Sequence, residues 1–218
     1  MIITIDGPAG SGKSTAAREL AKALSVAYLD TGATYRAVTL AALRAGIDLE
    51  DEDALADLAG RIDLRLGYDV DGELCVILDG QDVSREIRTA DVSDNSHYVA
   101  RSPVVRKLLV AMQRRVGAEL ASGFGGVVAE GRDQGSVVFP DADVKFYLDA
   151  SCEVRAKRRC DEMPGADYEH VLDAIRTRDR RDSTRAVAPL MKPKGAVVID
   201  TTDMNIEEVT AELLSSLK

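Results

Sequence analysis

Residues Gly7 to Ser14 read Gly-Pro-Ala-Gly-Ser-Gly-Lys-Ser, the spacing GxxxxGK[ST]. Glycines at these places let successive backbone N–H groups turn inward around an anion, and a helix beginning at the lysine adds the positive end of its dipole. The chemistry is phosphate binding. Gly7, Pro8, Ala9, Gly10, Ser11 and Gly12 form the cradle, Lys13 lies on the β and γ phosphates, Ser14 on Mg²⁺ and Thr15 near the α phosphate. The alternative is a tight turn with a solvated lysine. It requires residue type, spacing and both flanking elements to agree by accident. A nucleoside triphosphate and Mg²⁺ are therefore the expected ligands, while the loop leaves kinase, GTPase switch and motor open. The Asn-Lys-x-Asp signature of guanine recognition is absent from the sequence, which disfavours the switch.

Three further segments carry charge suited to a second anion. Asp30-Thr31-Gly32-Ala33-Thr34-Tyr35-Arg36 places a hydroxyl, a phenol and a guanidinium at a helix start, where Arg36 can grip a phosphate bidentately. Glu130-Gly131-Arg132-Asp133 follows another apolar run, so Arg132 suits a phosphate, Asp133 a base edge or ribose, and Glu130 a water on Mg²⁺. Nine of the 28 Lys and Arg fall within residues 155–185. Arg178, Asp182 and Arg185 stand at i, i+4 and i+7, one helix face if the helix persists, and Arg155, Arg158 and Arg159 at i, i+3 and i+4. A surface charge ladder is the plain reading of either set. Together they suggest an arm that closes arginines over a transferring phosphoryl group.

The elements that must position these residues alternate strand and helix. Core strands are expected at Ile2 to Asp6, Val26 to Asp30, Gly126 to Glu130, Val144 to Asp149 and Ala196 to Asp200, each ending on a carboxylate. In an open parallel sheet the ligand crevice lies outside those ends. Ala16, Ala17, Leu20, Ala21 and Leu24 recur at helical spacing after the first strand. Ser102-Pro103 marks another helix start, and Asn205 with Glu208 a capped C-terminal helix. Residues 62–84 alternate apolar and polar around Asp71-Gly72, a small antiparallel insert.

At 218 residues with 45% hydrophobic content, the chain is long enough for one core with an appended lobe. No stretch approaches the roughly 18 apolar residues of a membrane span. A net charge of −9 argues against a nucleic-acid polymer as partner. Cys75, Cys152 and Cys160 lack CxxC spacing and are expected as buried thiols. The opening residues have no basic n-region, so a cytoplasmic protein is expected. No long apolar surface run is evident, which favours a monomer.

ITIDGPAGSGKST, LDTGATYR, EIRTADVS, RSPVVR, EGRDQGSVVFPDADVKFYLDAS and RDRRDSTRAVAPL together resemble the bacterial cytidylate kinases. These are P-loop nucleoside monophosphate kinases that move the γ-phosphoryl group of ATP to CMP or dCMP. The resemblance runs from Ile2 nearly to the C-terminus. It implies an α/β fold: a three-layer α/β/α P-loop domain with a five-stranded parallel sheet, an antiparallel-β insert in the lobe that binds the monophosphate, and a short lid. The implied division of this single domain is a core at about 1–32, 104–154 and 186–218, a lobe at 33–103 and a lid at 155–185.

By the same resemblance, Thr31, Tyr35, Arg36, Arg88, Arg132 and Arg185 surround CMP, mainly at its phosphate. Arg106 and Asp133 read the cytosine edge, Asp182 holds the ribose, Arg178 bridges the two nucleotides and Arg158 binds ATP. Lys13, Arg132, Arg178 and Arg185 form the catalytic set. The family pattern commonly has a serine that contacts the base where this chain has His97. His97 either bonds the base itself or is a satisfied packing residue. The acceptor is already an anionic phosphate oxygen, so transfer needs positioning rather than a general base.

Overall fold

The computed structural model describes every residue except Asp71, Pro164 and Lys218. Five parallel strands form one sheet: β1 (Ile2–Asp6), β2 (Ala27–Asp30), β6 (Val127–Gly131), β7 (Val144–Asp149) and β8 (Val197–Asp200), in the order β2-β6-β1-β7-β8. Ile3, Ile5, Val127, Val128, Phe146 and Leu148 are fully buried, as strands covered on both faces must be. The expected strands are present, with four boundaries moved by one residue. The third core strand ends on Gly131 rather than Glu130, because the ladder to β1 continues through Asp6 and Gly131.

Strand order decides where a ligand can sit. The chain leaves β1 toward β2 on one side and leaves β6 toward β7 on the other, although β1 and β6 are adjacent. Connections diverging from neighbouring strands open a crevice at their carboxyl ends. The loop after β1 is the glycine-rich segment, and the loop after β6 carries Arg132 and Asp133.

The chain divides into two units, Met1–Tyr28 with Leu120–Lys218, and Leu29–Glu119. In the first, helix α1 (Lys13–Leu24) buries Ala16, Ala17, Leu20 and Ala21. It packs on α8 (Ile206–Ser215), whose Asn205 and Glu208 form the capping box expected from sequence. Helices α6 (Cys152–Glu162) and α7 (Tyr168–Thr184) pair through Ala156, Val171, Leu172 and Ile175. Residues 155–185 group with the first unit. The three cysteines are free and half-buried, not buried as expected, since Cys75 lies in a small sheet and Cys152 and Cys160 at the rim of the α6–α7 contact.

The second unit has its own core, with Leu55, Leu78, Ile87, Val38 and Val99 fully or almost fully buried. Around it stand α2 (Gly32–Arg44), α3 (Glu52–Arg61), α4 (Ala90–Arg101) and the larger part of α5 (Pro103–Phe124). The antiparallel insert comprises β3 (Leu64–Tyr68), β4 (Leu74–Leu78) and a third strand not expected from sequence, β5 (Gln81–Asp82). Asp79 and Gly80 at φ 49° and 80° turn β4 into β5, the two-residue Asp-Gly connection that the sequence displays openly. Of the expected Asp71-Gly72 turn, Gly72 lies at φ 78° and Asp71 is outside the described residues.

Among the described residues no helix is long and apolar enough to cross a membrane.

Candidate active site

Main chain builds the loop after β1. Gly10 and Gly12 lie at φ 77° and 83°. Gly7 passes so close to β7 that a Cβ there would stand 2.0 Å from the Leu148 carbonyl oxygen, so no other residue fits. Two loop carbonyls are tied back by side chains from later in the chain. Ala9 O accepts from Arg155 Nη1 at 2.9 Å, and Ser11 O from Thr201 Oγ1 at 3.3 Å. Carbonyl and N–H of one trans peptide point in opposite directions. The Gly10 and Gly12 N–H groups therefore face away from those partners.

Lys13 opens α1 and is only 5% exposed. Its Nζ donates to Pro8 O at 2.5 Å and contacts Ser11 Oγ at 3.5 Å. Burial, then the Arg132 guanidinium, bring this ammonium down from 10.5 to about 7; Arg178 adds to the fall, while Glu130 and Asp6 oppose it. A buried lysine among arginines is a cationic site that an anion would stabilise. Beside it, Ser14 Oγ donates to Glu130 Oε1 at 2.7 Å. Thr15 follows on the first turn of α1, and its side chain is exposed.

The two loops at the crevice are joined by Asp6. This carboxylate, fully buried at the end of β1, accepts from the backbone N–H groups of Gln134 and Gly135, each at 2.7 Å. Burial raises it from 3.8 to about 6 against those two hydrogen bonds, with Asp133 raising it further and Lys13 lowering it. The clamped residues begin a π-helical turn, Gln134–Val138, that presents Asp133 in a buried position. π-turns of this kind recur at functional sites.

Arg132 donates through Nε to Asp182 Oδ2 at 3.1 Å and through Nη1 to Gly131 O at 3.3 Å. Arg178 lies exposed on α7. Arg185 corrects the sequence reading: α7 ends at Thr184, and Arg185 has φ −59° and ψ 132°. It is therefore off the helix face of Arg178 and Asp182, and its Nε donates to Ala188 O at 3.0 Å, with Nη2 on the same oxygen. Chain reversal instead returns Leu190 N to Asp182 O at 2.8 Å. Arg158 donates to Thr201 Oγ1 at 3.2 Å, Thr201 O at 2.5 Å and Met204 O at 3.2 Å. Arg155 also departs from the expected closing arm, for it is 3% exposed and held entirely by the protein.

Within the second unit, Asp30 gathers two of the expected phosphate ligands. Its Oδ2 accepts from Arg36 at 2.7 Å and Arg88 at 3.4 Å, while Oδ1 caps the first turn of α2 through Ala33 N at 3.0 Å. The Arg106 guanidinium stands 5.4 Å from the Tyr35 ring centroid, a cation–π arrangement, and Nη1 donates to Ala100 O at 3.2 Å. Thr31 and Thr34 are held by Gln113 of α5, whose Nε2 donates to Thr34 Oγ1 at 2.7 Å and contacts Thr31 O at 3.4 Å. His97 pairs Nδ1 with Asp94 O at 2.7 Å, and its ring centroid lies 4.1 Å from that of Tyr98.

Sequence reasoning missed Gln113, Thr201 and the clamp made by Asp6. A glutamine on the apolar face of α5, in line with Arg106 and Leu109, was the available signal for the first.

Sheet order and phosphate loop together define a P-loop nucleotide-binding domain. A family model described as Cytidylate kinase matches residues 3–218. Cytidylate kinase of Caldanaerobacter subterraneus subsp. tengcongensis is 48% identical over 99% of this chain and 94% of its own length. That of Mycobacterium avium is 49% identical over 98% and 93%, and that of Pasteurella multocida 43% over 100% and 95%. The chain belongs to the cytidylate kinase family. A solved structure of an uncharacterized protein from Eubacterium ventriosum superposes with a TM-score of 0.51 at 12% identity, covering 100% of this chain and 98% of that one. That likeness concerns the fold alone.

Proposed function

We propose that this chain transfers the γ-phosphoryl group of ATP to CMP or dCMP, giving ADP and CDP or dCDP, with Mg²⁺. Family membership over residues 3–218 supports the reaction. The observation that carries the donor side is Lys13, buried at the helix start beside a hydroxyl and a carboxylate.

Ser14 supplies a hard oxygen donor of the kind Mg²⁺ takes and Glu130 a carboxylate for one of its waters, and a site of so few protein ligands suits an ion that keeps waters and binds substrate phosphates. Bound there, the ion neutralises phosphate charge. The residues of this chain do the rest. The glycine N–H groups of residues 7–12 hold the donor phosphates, Lys13 lies on the transferring group, and Thr15 and Arg158 complete the ATP contacts. Thr31, Tyr35, Arg36, Arg88, His97 and Arg106 take the acceptor nucleotide. So do Arg132, Asp133, Arg178, Asp182 and Arg185, with Arg132, Arg178 and Arg185 offsetting repulsion between the two anions during transfer. Asp30 keeps Arg36 and Arg88 poised by a carboxylate that a phosphate can replace.

We further propose a monomer acting on small nucleotides in the cytoplasm, in keeping with the −9 net charge. Purified protein with Mg·ATP against CMP, dCMP, UMP, AMP, GMP and shikimate tests the reading. Turnover with CMP and dCMP well above the others is expected. A preference for any of the other acceptors overturns it.

A further inference from the structure

Among the nine cationic residues of 155–185, Arg155 is the buried one. Each of the three guanidinium nitrogens meets an acceptor fixed in the fold. Nε donates to Ala150 O at 2.9 Å, just beyond β7. Nη1 donates to Ala9 O at 2.9 Å, in the phosphate loop, and Nη2 to Asp179 Oδ2 at 2.5 Å on α7, with Cys152 Sγ at 3.0 Å. The stem is engaged as well: a Cβ at Gly10 would stand 3.2 Å from Arg155 Cβ, so the loop lies directly on this side chain.

The contact with Ala9 has a stereochemical effect. The peptide joining Ala9 to Gly10 is planar and trans, so its carbonyl and N–H are antiparallel. Gly10 has no Cβ and sits at φ 77°, which leaves this peptide little intrinsic preference for either orientation. Pinning the carbonyl on Arg155 fixes the direction of the Gly10 N–H. A flipped peptide would turn a carbonyl oxygen toward the anion, replacing attraction with repulsion. Asp179 steadies the guanidinium from the other side, and it is the neighbour of Arg178 in the chain.

We propose that Arg155, held by Asp179, is a positioning residue for the donor nucleotide: it sets the Ala9–Gly10 peptide so that the Gly10 N–H faces the phosphates, and it ties that setting to the helix bearing Arg178. This inference rests on the reading of residues 7–15 as the ATP phosphate site. Arg155 itself does not touch substrate.

The test is steady-state kinetics of Arg155→Met, Arg155→Lys and Asp179→Asn, each with ATP and CMP varied separately. Arg155→Met is expected to raise KM for ATP about tenfold, the effect of losing a charge-assisted hydrogen bond. KM for CMP should stay within about twofold. Lysine reaches one of these acceptors and should recover part of the loss. Asp179→Asn should give a smaller rise, and Arg155→Met with Asp179→Asn together should be no worse than Arg155→Met alone, because both act through one guanidinium. A merely structural arginine would lower the active fraction or the melting temperature without separating the two KM values. If Arg155→Met does not fold, Arg155→Lys and Asp179→Asn carry the same comparison. Unchanged KM for ATP, or equal rises for both substrates, overturns the proposal. Should Lys13→Ala retain normal turnover, the phosphate-site reading fails instead, whatever Arg155 does.

Discussion

Arg132 and Asp182 satisfy each other: the guanidinium Nε lies 3.1 Å from a carboxylate oxygen, and both side chains are about four-fifths buried. One is assigned to a phosphate and the other to a sugar, so the acceptor must exchange partners with a pair already made. The exchange is feasible because a phosphate offers the guanidinium a charge-assisted acceptor in place of the carboxylate. It also keeps Arg132 oriented before the ligand arrives. Asp182→Ala should therefore weaken CMP more than dCMP if the carboxylate serves the ribose hydroxyls. We expect kcat/KM for CMP to fall about tenfold or more and the CMP to dCMP ratio to shrink, read from parallel kinetics. An unchanged ratio would move Asp182 off the sugar.

Lys13 gives two expectations. Lys13→Ala should abolish transfer at saturating CMP while leaving the circular dichroism spectrum intact. In the ligand-free wild type the ammonium titrates at about 7 instead of 10.5, chiefly through burial. At pH 8.5 it is therefore mostly neutral, and an anion that restores its charge must draw in about one proton. Calorimetry of ATP binding in two buffers of different ionisation enthalpy should show that uptake. Binding with no proton exchange would contradict the proximity of Lys13 to the phosphates.

Asp6 carries its own signature. Its folded value of about 6 lies above the ordinary 3.8 because it is buried, so the native state binds the extra proton between those limits. Where the native state holds more protons, stability falls as pH rises. Asp6→Asn removes this contribution and leaves one of the N–H groups of Gln134 and Gly135 without its acceptor. Wild type should gain on the variant as pH is lowered from 6 to 4, by on the order of 3 kcal/mol at most, measured by urea unfolding. A stability difference independent of pH would show that Asp6 is not the titrating group.

Asp133 stands buried at the start of the π-turn. Asp133→Ala should damage discrimination between CMP and UMP more than it raises KM for ATP. An unchanged CMP to UMP preference would remove Asp133 from base reading.

Local signals were read well from sequence where the cause is local. The glycine-rich loop, the Asn205 cap and the Pro103 helix start depend on residues a few positions apart, so pattern and structure agree. Arg185 went astray for a reason also local: a periodicity argument extends a helix for as long as the spacing holds, but α7 stops at Thr184. Partners distant in sequence were illegible. Nothing near Arg155 in the chain announces Ala9, and nothing near Asp6 announces Gln134. The Arg158 contacts with Thr201 and Met204 likewise depend on how β8 enters the sheet. Asp30 was legible as a strand end, whereas its hold on Arg36 and Arg88 required the fold of the second unit.

The placing of β1 at the middle of its sheet bears on how the chain is made. Its neighbours β6 and β7 begin at Val127 and Val144, so once made this strand waits for more than a hundred further residues before it can hydrogen-bond on either side. Leu29–Glu119, which has its own apolar interior, emerges in between and has what it needs to settle first. During synthesis the nascent enzyme would thus carry a finished inner piece and a β1 without its sheet neighbours, a stage at which chaperones have most to shield.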